Sequence, residues 1–216
     1  MNSCRNLELV LATYNQGKLR EVKEALASLP VKFRSLGEFA DVSSVPELGQ
    51  TYQANAVLKA IGYAKQTRHF ALADDSGLEV DALGGRPGVF SARFGGGEAS
   101  DSDRIRLLLS ELHEQSGSTR SARFVCCMAF AGWHAADVSD GTEEPRVLTL
   151  VEASCEGTIA LEPRGSNGFG FDPVFVPAGY EQTFAQLPKN VKGRISHRAK
   201  ALAEIRSFLT QWIASA

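Results

Sequence analysis

The stretch Ala71–Phe94 reads ALADDSGLEVDALGGRPGVFSARF, and the rest of the fold is organised around it. An apolar segment ends in two adjacent carboxylates, Asp74 and Asp75, after which apolar and charged residues alternate from Leu78 to Ala82. Alternation with a period of two is typical of a half-buried β-strand, so the sequence predicts two acids fixed at a strand end. Neighbouring side chains on extended backbone point to opposite sides, and we therefore expect one carboxylate to face the cleft and the other to hold the backbone or a neighbouring polar group.

Two structures are compatible with this pair of aspartates. Carboxylates are ligands that Mg²⁺ accepts, usually one or two of them together with substrate phosphates. However, the run Asp75-Ser76-Gly77 is also common turn chemistry, so these residues alone favour an Asx turn closed by Ser-Gly. Support for a metal site has to come from the rest of the chain.

A short strand, a polar turn and a helix are predicted before this stretch. Leu7–Ala12 is apolar and Thr13–Lys18 is polar, and helical spacing of apolar residues then continues to Pro30. A strand-to-helix junction places backbone N–H groups and the positive end of the helix dipole beside the loop, where anions bind, and Lys18 adds a full charge. The junction is not a Walker loop, because the glycine spacing and the Lys-Ser/Thr pair are missing. Alone, it suits a phosphate site or an ordinary turn.

A long helix is predicted to begin near Thr51, after a loop that carries an exposed acid, Glu47. Its apolar stripe leaves Asn55 and Lys59 near a polar edge. The stripe consists of Ala54, Val57, Leu58, Ile61 and Ala64. Beyond the acidic strand we expect a short helix at Ser91–Arg93, a helix with Asp101 as N-cap, nearly continuous apolar strands at Ser121–Ala131 and Arg146–Ala153, and a surface loop at Ala135–Pro145.

A glycine-rich loop and a basic segment lie in the second half of the chain. Four glycines in Glu156–Pro173 surround Phe169 and Phe171, which suits a backbone close to a flat nucleobase and equally a hairpin with two core phenylalanines. Ser196 is predicted to cap the final helix, so that His197 and Arg198 lie in its first turn, where cations oppose the dipole. An anionic or acceptor-bearing ligand would offset that cost, and a solvent-exposed pair would tolerate it.

Composition excludes several classes of protein. The 216 residues suit one domain, or two lobes formed by one chain without a separate linker. A net charge of −2 argues against polymeric nucleic acid and anionic membrane as partners. The N-terminus lacks the long apolar run of a signal peptide, and no later run approaches the roughly 18 apolar residues of a membrane span, so a cytoplasmic location is predicted. The cysteines, Cys4, Cys126, Cys127 and Cys155, lack zinc-type spacing and are expected to be reduced and structural.

Five ordered motifs cover most of the chain: LATYNQGKLREV, ELGQTYQANAVLKA, ADDSGLEVDALGGRPGVFSARFGG, NGFGFDPVF and KGRISHRAKAL. In these motifs the chain closely resembles the non-canonical purine nucleoside triphosphate pyrophosphatases, the inosine/xanthosine triphosphatase or dITP/XTP pyrophosphatase family. The resemblance implies an elongated mixed α/β fold with flanking helices, two lobes around a central nucleotide cleft, and usually a homodimer. It also implies Mg²⁺-dependent cleavage of ITP, dITP and XTP to the nucleoside monophosphate and pyrophosphate, which removes deaminated purines from the nucleotide pool.

The resemblance also implies roles for individual residues. Asp75 would accept a proton from the attacking water and, with Glu47, would hold Mg²⁺. The triphosphate would contact Thr13, Tyr14, Asn15, Gln16, Gly17 and Lys18, and Ser76 would also touch the substrate. The base and sugar would be bound by Phe169, Gly170, Phe171, Asp172, Lys192, His197 and Arg198. A donor such as Arg198 aimed at a 6-keto oxygen would reject adenine, because the adenine amino group is a donor as well.

Four positions depart from the usual family pattern. They are Tyr14 in place of a common glycine, Ala54 in place of a glutamate, Phe171 in place of a frequent tyrosine, and Ala199 in place of a glycine. If the missing glutamate supports the metal in relatives, this chain holds Mg²⁺ with one fewer carboxylate. It then relies on Glu47 and Asp75, with Asp74 as a further candidate whose role is partly exchangeable with that of Asp75. Two alternative functions follow from that departure and from the phosphate chemistry: a nucleotide-binding sensor that has lost catalysis, and a phosphatase that releases single phosphates.

Overall fold

The computed structural model describes residues 7–115, 119–133 and 144–215. The strands are β1 (Leu7–Leu11), β2 (Val31–Ser35), β3 (Phe70–Val80), β4 (Ser121–Gly132), β5 (Arg146–Ile159) and β6 (Phe175–Pro177). The helices are α1 (Gln16–Ala25), α2 (Tyr52–Thr67), α3 (Asp101–Glu114), α4 (Lys189–Ile195) and α5 (His197–Ser215). No helix in these three ranges combines the length and the apolar character that a membrane span needs.

The strands form one sheet in the order β2-β1-β3-β4-β5-β6. Strand β1 pairs in parallel with β2 and with β3, so that Leu9 lies beside Phe33 on one side and Phe70 on the other. Strands β5 and β6 are antiparallel, with Ile159 opposite Phe175. Because the sheet contains both orientations and is flanked by helices, the predicted mixed α/β class is confirmed.

The chain divides into two compact units. Unit 1 comprises the chain up to Asp75, Cys127–Glu152, and the chain from Ala201 onward. Unit 2 comprises Ser76–Cys126 and Ala153–Lys200. The arrangement of these units as two lobes of one domain around a nucleotide cleft stays a prediction.

Each unit has an apolar core of its own. In unit 1, an aromatic cluster joins strand residues to helix α5, with Phe130 packed against Phe70, Phe208 and Trp212. In unit 2, the buried core includes Leu78, Val80, Leu108, Phe124, Ile159, Phe171, Phe175 and Phe184. In α5, the apolar residues Leu202, Ile205 and Leu209 recur at helical spacing and are buried, so they form the apolar stripe of this helix.

Strand β3 runs without interruption through both aspartates, so the Asx-turn interpretation was wrong. The backbone of Asp74 and Asp75 belongs to a strand instead of closing on Gly77. Apolar residues on both sides of the pair extend the strand, since Leu72 and Ala73 before it and Leu78 after it are buried. Burial of the flanking residues outweighs the local turn preference of Asp-Ser-Gly.

The predicted orientation of helix α2 was also wrong. Asn55 and Lys59 are buried instead of lying at a polar edge, whereas Leu58 is 43% exposed. The buried face consists of Tyr52, Asn55, Ala56, Lys59, Ala60, Tyr63, Ala64 and Thr67. The expected stripe failed because two polar side chains lie on the buried face, where acidic partners compensate for their burial.

One of the two predicted helix caps is observed, and the described cysteines are free. Ser100, not Asp101, caps α3: the Ser100 side chain accepts a hydrogen bond from the Asp103 N–H, and Asp103 completes a capping box. The predicted cap at Ser196 is confirmed by its acceptance of the Ala199 N–H at 3.1 Å. Cys126, Cys127 and Cys155 are free and buried, as expected. Cys4 and most of the predicted Ala135–Pro145 loop lie outside the described residues.

Candidate functional site

The two adjacent aspartates of β3 take different partners in unit 1. Asp74 is 6% exposed, and its Oδ2 lies 2.9 Å from Nζ of Lys18 on α1. Asp75 is also 6% exposed, and its Oδ2 accepts a hydrogen bond from Nδ2 of Asn55 on α2 at 3.0 Å. The strand therefore connects one acid to each of the two helices that precede it in the sequence. Which of the two carboxylates faces a nucleotide stays a prediction.

The turn before α1 is built by its own side chains. Asn15 caps the helix by accepting the Lys18 N–H on Oδ1 at 3.0 Å, and the Asn15 N–H donates to Thr13 Oγ1 at 3.2 Å. These bonds place Lys18 in the first helical turn with its side chain directed to Asp74. The neighbouring Tyr14 is 57% exposed. The predicted phosphate segment is thus a capped helix N-terminus, the kind of position where anions are stabilised.

Lys59 joins two acids that the sequence analysis assigned to a metal. Its Nζ lies 2.7 Å from Oε1 of Glu47 and 3.6 Å from Oδ1 of Asp75. Asn55 and Lys59 are four residues apart on α2, so both side chains leave the same face of the helix. The amide Oδ1 of Asn55 accepts the backbone N–H of Gly49, which fixes the loop that carries Glu47.

Burial and charge oppose each other in this cluster. Burial raises the pKa of Asp75 above its usual range, against the lowering effects of Lys59 and the Asn55 hydrogen bond. Burial also acts to lower the pKa of Lys59, but the charges of Asp74, Asp75 and Glu47 outweigh it, so that the pKa of Lys59 is raised. The lysine is therefore held as a cation, and Asp75 binds a proton more readily than an exposed aspartate does.

The cluster suits a divalent cation with few protein ligands. Among the described residues, no group of three or more His, Cys, Asp or Glu side chains lies together as a metal site. Glu47 and Asp75 nevertheless direct carboxylate oxygens to one positive charge, the ammonium of Lys59. Two carboxylates are the protein share that Mg²⁺ commonly takes when substrate phosphates supply further ligands. The donor set present here fits that cation.

In unit 2, the glycine-rich loop is organised by Asp172. Its Oδ2 accepts the Phe169 N–H at 2.8 Å and a hydrogen bond from Lys192 Nζ at 2.5 Å. Gly168 has a φ of +80°, and a Cβ there would collide with the Asp172 carboxylate. The Gly170 N–H donates to Asp101 Oδ2 at 2.7 Å, so the residue that was expected to cap α3 instead holds this loop.

The two phenylalanines of the loop have different environments. Phe171 is buried in the core of unit 2 with its ring near Phe94, which fits the hairpin interpretation for this residue. Phe169 is half-buried, and two cations lie over its ring, Lys192 Nζ at 5.0 Å from the centroid and Arg198 Cζ at 5.7 Å. An aromatic ring with two cations close to it suits an electron-rich planar ligand or its oxygen acceptors.

His197 and Arg198 are 4% and 3% exposed, so they are not the solvent-exposed pair that the sequence left open. Arg198 Nη2 donates to Oγ of Ser76 at 2.9 Å. The imidazole of His197 is stacked on Phe124 with the ring centroids 4.7 Å apart and an interplanar angle of 12°. These contacts fix the orientation of both side chains within unit 2.

Three side chains of these clusters have no role that the sequence patterns or motifs predict: Asn55, Lys59 and Phe124. The spacing of Asn55 and Lys59 by one helical turn is a signal that could have found them, because two polar residues on one face of a helix share a neighbour. Phe124 gave no such signal, since it belongs to a continuous apolar strand. Its contact with His197 depends on tertiary packing between β4 and the start of α5.

Comparisons with known proteins agree with the motifs. The model of the Ham1 family matches residues 9–208. The dITP/XTP pyrophosphatase of Bacillus subtilis is 42% identical over 202 residues, covering 94% of this chain and 96% of its own. The protein of the same name from Coxiella burnetii is 42% identical over 205 residues, covering 95% and 98%.

Solved structures give the same result for the fold. A HAM1 protein structure from Coxiella burnetii superimposes with a TM-score of 0.83 at 42% identity, covering 95% of this chain and 99% of that one. The Staphylococcus aureus Ham1 protein gives a TM-score of 0.79 at 36% identity, with 94% and 98% coverage. Since the family model and these relatives span nearly the whole chain, the resemblance seen in the five motifs is confirmed, and the chain belongs to the Ham1 family.

Proposed function

We propose that this protein is a Mg²⁺-dependent nucleoside triphosphate pyrophosphatase that hydrolyses dITP, XTP and ITP to the monophosphate and pyrophosphate. The observation that carries the proposal is the buried Asp75, held by Asn55 and adjoining Glu47 through Lys59. It occurs in a chain about 40% identical to relatives named dITP/XTP pyrophosphatase. In the proposed reaction these residues, together with Lys18, would supply a base, two metal ligands and positive charge for the phosphates within unit 1.

The proposed metal ligands are Glu47 and Asp75. A divalent cation bound there would neutralise phosphate charge and orient the leaving pyrophosphate, which is how phosphoryl-transfer enzymes gain most of their rate. Lys18, in the first turn of α1, would add positive charge to the same phosphates together with the backbone N–H groups of the turn. Asp74 would keep the Lys18 ammonium in place through its ion pair.

Asp75 is proposed to take the proton of the attacking water. Burial raises the pKa of Asp75, which makes it a stronger base than an exposed aspartate. The Asn55 amide, 3.0 Å from Oδ2, fixes the carboxylate orientation. A bond forms between the water oxygen and the attacked phosphorus. The bridge between the α-phosphate and the β-phosphate breaks, and the electron pair of the broken P–O bond leaves with pyrophosphate.

The base and sugar are proposed to bind to unit 2. Lys192, His197 and Arg198 would donate hydrogen bonds to the keto oxygens of hypoxanthine or xanthine, and Phe169 would offer its ring face. Adenine carries a donor at position 6 and would leave these donors unpaired, which costs affinity. Guanine shares the 6-keto oxygen, so its exclusion has to depend on position 2. The homodimer that the family resemblance implies and the cytoplasmic location that the apolar pattern of the sequence favours remain predictions.

Product analysis tests this function. Purified protein with Mg²⁺ is offered dITP, XTP, ITP, GTP and ATP separately, and pyrophosphate and orthophosphate are quantified as first products. We expect pyrophosphate from the first three nucleotides and little turnover of the last two. Tight nucleotide binding without any product would favour the sensor, and orthophosphate as first product would favour the phosphatase; either result would contradict the proposal.

The Asp75→Asn variant tests the role of the base. We expect turnover to fall by roughly 10²–10⁴-fold, the usual contribution of a positioned general base. Glu111→Gln is the matched control, because Glu111 pairs with Arg86 on the surface, and its turnover should equal that of the wild type. Near-normal turnover of Asp75→Asn would show that another group takes the proton.

A further inference from the structure

The ammonium of Lys59 lies where the proposed metal ligands meet. Its Nζ is 2.7 Å from Glu47 Oε1 and 3.6 Å from Asp75 Oδ1. The Lys59 side chain is 9% exposed and that of Asp75 8%, so the charges are shielded from water on most sides. An ammonium and a Mg²⁺ ion both require oxygen donors, and the two carboxylates offer the same ones to either.

Charge balance makes simultaneous occupation unfavourable. The Glu47 and Asp75 carboxylates carry two negative charges, and Lys59 already neutralises one of them. A divalent cation that bound to the same two oxygens would lie within a few ångströms of the ammonium, and like charges at that separation repel strongly in a shielded site. The long, flexible lysine side chain can move away by rotation about its four carbon–carbon bonds.

We propose that Lys59 is the resident counter-ion of the Glu47–Asp75 pair and that a divalent cation has to displace its ammonium in order to bind. The inference rests on the proposed metal role of these two acids. It assigns Lys59 two positions: docked on the acids in the metal-free protein, and released from at least one of them in the metal-bound protein. Lysine at this position therefore weakens the binding of metal alone, while it supplies a cation to the buried carboxylate of Asp75 and to the half-buried carboxylate of Glu47.

Metal affinity without nucleotide tests the competition. Mn²⁺ is titrated by calorimetry and by electron paramagnetic resonance into the wild type and the Lys59→Gln variant. We expect Mn²⁺ to bind about tenfold more tightly to Lys59→Gln, because the competing charge is gone while a hydrogen-bonding side chain of similar length remains. Unchanged or weaker binding would overturn the proposal, since the ammonium would then occupy a separate place or help to assemble the site.

Three further variants serve as controls for this titration. Lys59→Arg keeps the charge and should bind Mn²⁺ about as weakly as the wild type. Lys65→Gln removes a lysine whose side chain is 59% exposed and which pairs with Glu144 on the surface, so its affinity should not change. Glu47→Gln removes a proposed ligand and should weaken binding. Tighter binding in Lys65→Gln as well would contradict a local effect of Lys59.

A measurement on the wild type avoids dependence on the folding of any variant. Lysines are acetylated briefly with and without Mn²⁺, and modification at each position is quantified by mass spectrometry. We expect acetylation of Lys59 to increase several-fold with the metal, while Lys65, the internal reference, stays constant. A decrease or no change at Lys59 would refute the displacement. Because neither measurement uses a nucleotide, the inference can fail while pyrophosphatase activity is found, and it can hold if that activity is absent.

Discussion

The ion pair between Lys18 and Asp74 offers a quantitative test of what holds α1 against β3. Asp74→Asn keeps the shape of the side chain and removes its charge. At the 2.9 Å separation of Nζ and Oδ2, unit charges attract by about 6 kcal/mol in a medium with an effective dielectric constant near 20. Desolvation of both groups offsets most of this attraction, as it does in other buried pairs.

The exposure of the two partners sets the net value. Asp74 is 6% exposed, but the Lys18 side chain is 16% exposed and can turn toward water when its partner is lost. We therefore expect Asp74→Asn to lower the free energy of unfolding by about 2 kcal/mol, between the values typical of surface and of fully buried pairs. Lys18→Met should cost a similar amount, because it leaves the buried carboxylate without that cation.

A double-mutant cycle measures the pair directly. Urea unfolding of the wild type, Asp74→Asn, Lys18→Met and the double variant is followed by tryptophan fluorescence. We expect the double variant to be more stable than additivity predicts by about 1–2 kcal/mol, because the second substitution removes a charge that the first has already left unpaired. Additive losses would refute the reasoning. Glu111→Gln, which breaks a surface pair, should cost less than about 1 kcal/mol.

Three other substitutions have predictable effects on the free energy of unfolding in urea. Ala54→Glu should raise it by about 0.5–1 kcal/mol, because position 54 is the third residue of α2, where a glutamate completes a capping box with Thr51. Gly168→Ala should lower it by about 3 kcal/mol, because the left-handed backbone and the collision with Asp172 both oppose a Cβ. Glu8→Gln should destabilise the protein at neutral pH, and the difference from the wild type should vanish as the pH falls through about 2, the value to which hydrogen bonds from Lys32 and then Arg34 lower the pKa of Glu8.

Each of these three predictions has its own control. Gly170 also has a left-handed φ, +61°, but no atom lies within 4 Å of a Cβ built there, so Gly170→Ala should cost only about 1–2 kcal/mol. Equal losses of unfolding free energy in Gly168→Ala and Gly170→Ala would mean that the Asp172 side chain moves away from the new Cβ at no cost. Ala54→Glu should leave Mn²⁺ affinity unchanged, and tighter binding would assign the glutamate to the metal. The stability difference between Glu8→Gln and the wild type should shrink between the ordinary carboxylate pKa of 4.5 and the lowered pKa of about 2. A difference that stays the same below pH 2 would exclude the ionised Glu8 carboxylate as its source.

Local patterns predicted the elements well but not the burial of polar groups. The strand–turn–helix at the start, the cap at Ser196 and the apolar stripe of α5 all follow from spacing and capping chemistry, which act within one or two turns of the chain. The prediction for α2 failed because periodicity assigns every polar residue to the surface. Periodicity within α2 cannot predict the burial of Lys59, because that burial depends on Glu47, twelve residues away, and on Asp75 in strand β3.

The residues of the candidate site were predicted mainly from the family motifs, and their roles stay predictions. The residue types alone favoured a turn at Asp75-Ser76-Gly77, and only the apolar segments on both sides of the pair, packed in the sheet, hold it as a strand. Within the glycine-rich loop, Phe171 packs in the core as the hairpin interpretation expects, whereas Phe169 contacts two cations and its role toward a nucleobase stays a prediction. To distinguish the two phenylalanines, one must know which ring faces the core. The alternation of glycine and phenylalanine in the sequence does not give that information.

The division of partners along β3 also restricts how this gene can vary in length. Lys18 pairs with Asp74 and Asn55 pairs with Asp75. Inserting or deleting one residue between Phe70 and Asp74 would shift the strand by one position, so that Lys18 and Asn55 would each face the residue next to their partner. Substitution at a single position changes one contact, whereas such a length change displaces every contact of the strand at once. We therefore expect insertions and deletions in natural variants of this protein to be excluded from residues 70–76, even where individual amino acids within that segment differ.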